Sequence, residues 1–317
     1  MAIRENTRKR VGLIISLIIV LAILIIYLIP IYWVVVSSIK PMTEVQTIPP
    51  KLWGFKPTIY SYVRTFTDRM ILPPGEKIPP SEELAKLHWW ERMSYVDGNM
   101  KVLKVSGLPS RLLNSVIIGI ISTILAVTLG TLTAYGFSRF KVAGEGDWLF
   151  FILSTRMLPA VVVIIPLYLM FRTLKLADTH LGLILLYTCF NVSFAVWLMK
   201  GFIDEIPREY EEAALVDGYT RFEAFRKIVL PQASTGIAAT VVFCFITAWN
   251  EYAFALIMTT KRAETAPPFI PSQIGVGGVD WGAIAASTLI FLLPVVILTV
   301  FLRRHLLRGI TFGAIRK

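Results

Sequence analysis

The chain has 317 residues, of which 55% are hydrophobic and only 17% charged. A soluble domain carries about a quarter charged residues, so the composition excludes one and indicates an integral membrane protein. The formal net charge of +11 then reports orientation and attraction to anionic headgroups rather than nucleic-acid binding.

A membrane helix needs about 20 apolar residues, and six segments supply them: 11–36, 113–137, 148–172, 181–200, 233–258 and 283–302. Their apolar runs are continuous rather than alternating, which favours helices over barrel strands. The first follows Arg4, Arg8, Lys9 and Arg10. It outlasts the roughly 7–15-residue core of a signal peptide and no small-residue cleavage site follows, so it reads as a retained helix. Pro30 lies in the first span, Pro159 and Pro166 in the third, and Pro294 in the sixth. Each removes a backbone hydrogen bond and kinks its helix. Such kinks shape a cavity or hinge, or simply reflect how common proline is in membrane helices.

Lysine and arginine in the short connections set orientation. Four precede the first span, two lie in 138–147, five in 200–232 and five in the tail, against Arg172, Lys175, Lys261 and Arg262 on the other side. That bias predicts both termini in the cytoplasm. Residues 38–112 then form an extracytoplasmic segment, broken by Pro49-Pro50, Pro73-Pro74 and Pro79-Pro80. Within it, Ser81 with Glu82 and Glu83 predicts a helix through about Met93 carrying Trp89 and Trp90, and Asp97-Gly98 a turn. The segment suits either docking of a soluble partner or a cap on the membrane domain.

Between the fourth and fifth spans the chain turns charged. Pro207 suits a first helical position. Glu209, Glu211 and Glu212 follow in the early turns, where the helix dipole favours them. Gly218 is placed to end that helix in a left-handed conformation. Thr220 with Glu223 forms a capping box for a second helix. Arg226 and Lys227 fall in its last turn, and Pro231 restrains Leu230 from continuing it.

Glu212-Ala213-Ala214, three residues, Gly218, nine residues, Ile228, one residue and Leu230-Pro231 resemble the EAA loop of bacterial ABC importer permeases at every fixed position. The Asp217-Gly218 pair is also common there. Asn114-Ser115, Ala134-Tyr135-Gly136-Phe137-Ser138-Arg139, Arg308-Gly309-Ile310-Thr311 and Gly313-Ala314 extend the resemblance to the maltose-type carbohydrate importer permeases, specifically the smaller six-helix partner. The resemblance implies an all-α protein of six transmembrane helices with the type I importer architecture, in the bacterial cytoplasmic (inner) membrane. Its parts would be 1–37 (tail and first helix), 38–112 (extracytoplasmic) and 113–317 (five-helix core with the coupling loop 201–232). ATPase coupling would fall to Glu212, Ala213, Ala214, Asp217, Gly218, Ile228, Leu230 and Pro231. The implied partners are a second, non-identical permease, two ATP-hydrolysing subunits and an extracytoplasmic solute-binding protein, with Arg316 and Lys317 reaching toward the ATPases.

Charged residues inside spans tend to face a bundle interior or cavity. Arg156 lies about eight residues into the third span, roughly 12 Å deep, and Glu251 about eighteen into the fifth, roughly 27 Å along. Some 15 Å apart along the normal at that rise, they would serve different levels of a pathway. Thr247, Asn250, Glu251 and Phe254 follow i, i+3, i+4, i+7 and share one helical face; Tyr187 and Asn191 follow i, i+4. Arg156, Tyr187, Asn191, Thr247, Asn250 and Glu251 therefore form a candidate solute pathway of the kind a polyhydroxylated solute needs. The alternative is that the amides tie helices together and Arg156 snorkels or meets a neighbouring subunit. Asn250-Glu251-Tyr252 also resembles a triplet common in sugar permeases.

No phosphate-binding loop G-x4-GK[ST] occurs, so the chain is no ATPase, and no catalytic residue or cofactor is indicated. His88, His180 and His305 are too scattered to suggest a metal site, and Cys189 and Cys244 sit inside predicted spans. An ion-gradient transporter or channel subunit is the alternative. It favours embedded carboxylates in paired repeats, whereas only Glu251 lies well inside a span. A non-transporting scaffold is a third reading. Sugar, polyol, glycerol-linked phosphate and sulfonated sugar all fit as solutes.

Overall fold

The structure, a computed structural model, describes residues 2–71, 78–98, 100–275 and 278–313. It opens with helices α1 (Ala2–Ile39), α2 (Met42–Val45) and α3 (Tyr60–Phe66), then strand β1 (Thr67–Ile71). Helices α4 (Ser81–Leu84) and α5 (Trp89–Gly98) and strand β2 (Met100–Val105) follow. Next come α6 (Leu108–Arg139), α7 (Glu145–Ser154), α8 (Ala160–Thr173) and α9 (His180–Asp204). A shorter-grained stretch holds α10 (Glu209–Val216), α11 (Arg221–Ala224), α12 (Leu230–Gln232), α13 (Ser234–Trp249), α14 (Ala253–Met258) and α15 (Ala266–Phe269). Strands β3 (Ile274–Gly275) and β4 (Gly278–Val279) precede the last helix, α16 (Trp281–Gly313). Among the described residues, four helices are long and apolar enough to cross a membrane, α1, α6, α9 and α16. Two bent pairs, 145–157 with 160–173 and 221–232 with 234–249, raise the number to six.

Two compact units emerge, 1–107 with 273–291, and 108–272 with 292–317. In the first, β1 and β2 pair antiparallel from Thr67↔Val105 to Ile71↔Met100, with an irregularity between Asp68 and Arg69. This hairpin and the shorter β3–β4 pair are small additions to a helical chain. At the core of this unit Arg64, 3% exposed, meets Asp280 at 2.5 Å, with its guanidinium over the Tyr60 ring. The helix predicted from Ser81 to Met93 splits in two. Arg92 donates to the carbonyls of Leu84 and Ala85 at 3.1 and 3.2 Å, ending α4. Glu91 accepts the His88 N–H at 3.1 Å, starting α5, which then runs through the Asp97-Gly98 pair where a turn was predicted.

In the second unit α6 and α9 pack closely because small residues line the seam. Ala126, Gly130 and Ala134 recur every four residues on one face, and both alanines are fully buried. A Cβ on Gly130 would lie 2.5 Å from the Cβ of Ala195 and 3.1 Å from the Val196 nitrogen. Small residues at such spacing let helix backbones approach within a bilayer.

The third span is not the straight helix predicted over 148–172: α7 passes through a 3-10 turn, Thr155–Met157, and α8 leaves at 91°. The residue before a proline is pushed out of the helical region, and Leu158 before Pro159 is extended at ψ 120°. Pro30, Pro166 and Pro294 lie inside continuous helices, so only Pro159 marks a break. The fifth span also breaks, between Trp249 and Ala253. Outside the spans, Asp178 joins two links: its carboxylate accepts backbone N–H groups of Thr260, Lys261, Arg262 and Ala263 at 3.0–3.2 Å. Burial pushes its pKa up, but these four donors outweigh it and hold the group at about 2.

Candidate coupling surface and solute cavity

The charged loop after α9 folds as a helical hairpin. Arg208 caps α10, so Pro207 precedes the helix instead of opening it as predicted. Gly218 adopts φ +89°, a conformation that costs L residues about 1–2 kcal/mol. Its N–H reaches the Leu215 carbonyl at 3.1 Å, and the Tyr219 N–H reaches Ala214 at 3.0 Å, the paired bonds of a Schellman stop. The capping box is present: the Thr220 hydroxyl accepts the Glu223 N–H while the Glu223 carboxylate accepts the Thr220 N–H.

Pro231 does not end the second helix. From Arg221 to Gln232 the chain stays helical because residues Phe225–Val229 widen into a π-turn. Within it the Leu230 N–H bonds the Phe225 carbonyl, five residues back. A π-bulge absorbs one residue in the helical ladder, which accommodates the missing N–H of Pro231. The chain bends by 75° only beyond it, between Gln232 and Ser234.

Two faces of the hairpin differ sharply. Outward, Glu212, Ala213, Asp217, Gly218 and Pro231 are exposed, together with Tyr210, Tyr219, Val216 at 88% and Phe222 at 66% exposure. Inward, Ala214 is buried, and Ile228 and Leu230 are half-buried. Leu230 packs against a cluster that includes Ala134, Met199, Ile203, Phe225 and Val229. The residue that fastens α10 to the span is Glu211, which sequence reasoning passed over in favour of its neighbour Glu212. Glu211 is 7% exposed, forms an ion pair with Arg139 and accepts the Tyr135 hydroxyl at 3.0 Å. Arg139 also donates to the Ile206 carbonyl, and Arg208 to the Ser138 carbonyl, at 2.9 and 2.6 Å. One signal was available: Tyr135 and Arg139 stand i, i+4 at the end of α6 and so share a face. Arg316 and Lys317, the implied tail contacts, lie outside the described residues.

A second site is a cavity of about 200 Å³ whose lining includes Arg156, Tyr187, Asn191, Thr247, Glu251 and Phe254. Five of the six candidate pathway residues meet there. Asn250 does not: it caps α13, exposed, with its amide donating to the Ile246 carbonyl at 2.8 Å. Placing Arg156 and Glu251 on one cavity also corrects the expectation of separate levels about 15 Å apart, which assumed an unbroken helical rise. The breaks at Leu158-Pro159 and at 250–252 void that assumption.

Within the cavity Arg156 donates to the Phe190 carbonyl at 3.1 Å and toward Asn191 at 3.5 Å. Its guanidinium lies over the rings of Phe194 and Phe243, which stack at 3.8 Å. Asn191 ties helices together, accepting the Thr247 hydroxyl at 2.6 Å and donating to the Cys244 carbonyl at 3.2 Å. Glu251 accepts the Phe254 N–H at 2.8 Å. Tyr187 is 4% exposed, yet its hydroxyl has no hydrogen-bond partner among the described residues. A buried unsatisfied hydroxyl costs about 1–3 kcal/mol, so this group departs from the paired polar groups around it.

Known proteins align with this architecture. Residues 126–312 match the family described as binding-protein-dependent transport system inner membrane component. The chain is 36% identical to the trehalose transport system permease protein SugB of Mycobacterium tuberculosis over 210 residues, 65% of this chain and 77% of that one. It is 28% identical over 316 residues, all of both chains, to the probable ABC transporter permease protein y4oR of Sinorhizobium fredii. In fold it resembles the crystal structure of a bacterial ABC transporter involved in the import of the acidic polysaccharide alginate, with TM-score 0.69 at 17% identity, covering 94% of this chain and 97% of that one. With more than half its length matched, the chain belongs to the family of binding-protein-dependent transport system inner membrane components.

Proposed function

We propose that this chain is the smaller permease subunit of an ABC importer for a carbohydrate or related polyhydroxylated solute. It works with a second, non-identical permease, two ATP-hydrolysing subunits and an extracytoplasmic solute-binding protein. Both termini lie in the cytoplasm, and 38–112 faces the other side. The relatives' printed substrates support the solute class: trehalose for SugB, and trehalose and maltose for a Thermococcus litoralis permease. The observation that carries the coupling role is the hairpin's asymmetry. Exposed Tyr210, Val216 and Phe222 set among charged side chains suit an interaction site, while the Glu211–Arg139 pair and the Tyr135 hydroxyl fix the hairpin's inner face to α6.

In this reading ATP binding closes the partner ATPases, with the hairpin seated in a groove on one of them. Glu212, Ala213 and Asp217 meet that groove, Ala214 packs against the hairpin's inner side, Gly218 sets the interhelical angle, and Ile228, Leu230 and Pro231 join the hairpin to α13. The hairpin moves as a rigid body and shifts the membrane helices between two packed states. Arg156, Tyr187, Asn191, Thr247 and Glu251 then offer a passing solute hydrogen-bond partners beside aromatic rings, a lining suited to sugar hydroxyls. The test is solute-stimulated ATP hydrolysis by the assembled complex. Gly218→Val and Glu212→Lys each abolish the stimulation while membrane insertion is preserved, and unchanged stimulation in both would overturn the coupling role.

A further inference from the structure

The segment after α1 does not simply leave the membrane. The Thr58 N–H returns to the Ile39 carbonyl at 2.8 Å, closing a loop whose ends meet at the helix terminus. From there the loop folds back along the helix: the Tyr32 hydroxyl donates to the Leu52 carbonyl at 3.0 Å. Tyr32 lies seven residues before Ile39, about 10 Å back at 1.5 Å per residue. The apolar run of this span ends at Val36, four residues beyond Tyr32, so the hydrogen bond holds Leu52 beside the last turns of that run.

The side chains there suit lipid. Ile48 is 97% and Trp53 76% exposed, and Leu52 is also exposed. The neighbouring surface of α1 is exposed apolar residues from Gly12 to Tyr32, continuous with the loop. Pro49, Pro50 and Pro57 have no N–H to leave unsatisfied away from water. The polar end of α1 is covered instead, with Ser38 and Lys40 buried and Lys40 over the rings of Trp33 and Phe55. We propose that residues 46–55 form an interfacial anchor, with Ile48, Leu52 and Trp53 inserted at the boundary of headgroups and acyl chains beside α1. Under the orientation above this is the outer leaflet. Amphipathic segments bury their apolar side about 5–10 Å into that boundary, where tryptophan and tyrosine are favoured.

The test uses the assembled complex in nanodiscs, comparing the native chain with Trp53→Phe so that the difference emission isolates Trp53. Lipids brominated near the headgroup end of their chains quench more than half of that difference, and aqueous iodide leaves it nearly unchanged. Quenching by iodide alone would place the loop in water, and quenching by neither would mean a protein partner covers it; each overturns the proposal. Should Trp53→Phe fail to assemble, Ile48→Cys carrying a polarity-sensitive fluorophore, in a Cys189→Ala, Cys244→Ala background, decides independently. Its emission shifts to the blue on reconstitution, and an unshifted spectrum refutes the anchor.

Discussion

In the hairpin, the carboxylate of Glu211 is enclosed by the Arg139 guanidinium and the Tyr135 hydroxyl. In the cavity, among the described residues, Arg156 and Glu251 have no ion-pair partner and the Tyr187 hydroxyl has no hydrogen-bond partner. The two regions belong to one unit and share α9 and α13, yet one pairs its buried charges with each other and the other leaves two charges without a counter-ion and one hydroxyl unpartnered among the described residues. Saturation suits a part that must transmit motion without deforming, because a fully paired buried network resists rearrangement. An open polar lining suits a part that must exchange partners as a solute passes.

The largest effect is expected from breaking the saturated region. Glu211→Ala leaves Arg139 buried without its carboxylate, and removing one partner of a buried pair costs about 3–5 kcal/mol. Thermal unfolding of the purified complex measures it, and stimulated ATP hydrolysis is lost in parallel. The double substitution Glu211→Leu with Arg139→Met removes both charges and is expected to restore most of the stability. Restored stability without restored coupling would show that the pair matters for transmission; restored coupling would show that packing alone suffices.

Next in size is the hairpin's outer face. Phe222 is 66% exposed, so Phe222→Ser changes intrinsic stability by less than about 0.5 kcal/mol. If it is a hot spot seated in a partner, the same change weakens ATPase association by about 2 kcal/mol, more than tenfold in Kd. Co-purification against salt and dilution reads the difference. An unchanged complex would move the docking surface off this face.

These regions also differ in how legible they were from sequence. The hairpin's turns and caps were readable because its signals are local: Gly218, the Thr220–Glu223 box and the acidic first turn all act within a few residues. Its errors were local too, since the π-turn at Phe225–Val229 lets the helix run through Pro231. Glu211 was missed because its partner lies on α6, and no short-range pattern separates it from Glu212. In the cavity the residue types were legible but the depths were not. Counting residues along a helix cannot place Arg156 or Glu251 once the chain bends at Pro159 and stops at Trp249. Asn250 fell out of the site for the same reason, being a cap rather than part of a continuing face. In the 38–112 segment the β1–β2 pairing joins strands far apart in sequence, and the Arg92 side chain that stops α4 is equally non-local.

Within the cavity, Tyr187→Phe removes a hydroxyl that bonds nothing among the described residues. Deleting an unsatisfied buried group is neutral or mildly stabilising, whereas losing a hydrogen bond to a bound solute costs about 0.5–1.5 kcal/mol. The variant should therefore match or exceed the native thermal stability while needing up to about tenfold more solute for half-maximal stimulation. A fall in stability with unchanged solute dependence would assign the hydroxyl a structural partner and close the cavity to solute.

The smallest effect concerns Asp178, which ties the α8–α9 link to the segment leading into α15. Its carboxyl titrates at about 2 when folded against 3.8 for the free group. A depressed folded pKa contributes stability that is fully present above the unfolded value and fades as pH falls through the folded one. The native protein should thus lose this contribution between about pH 4 and pH 2, while Asp178→Asn is less stable at neutral pH and flatter across that window. Partial exposure of the site keeps the difference small. Because α9 and α14, which leave and enter this clamp, carry Tyr187, Asn191 and Phe254, loosening it should broaden solute dependence before it touches the hairpin. Equal loss of coupling and of solute response in Asp178→Asn would mean that the two regions are mechanically one.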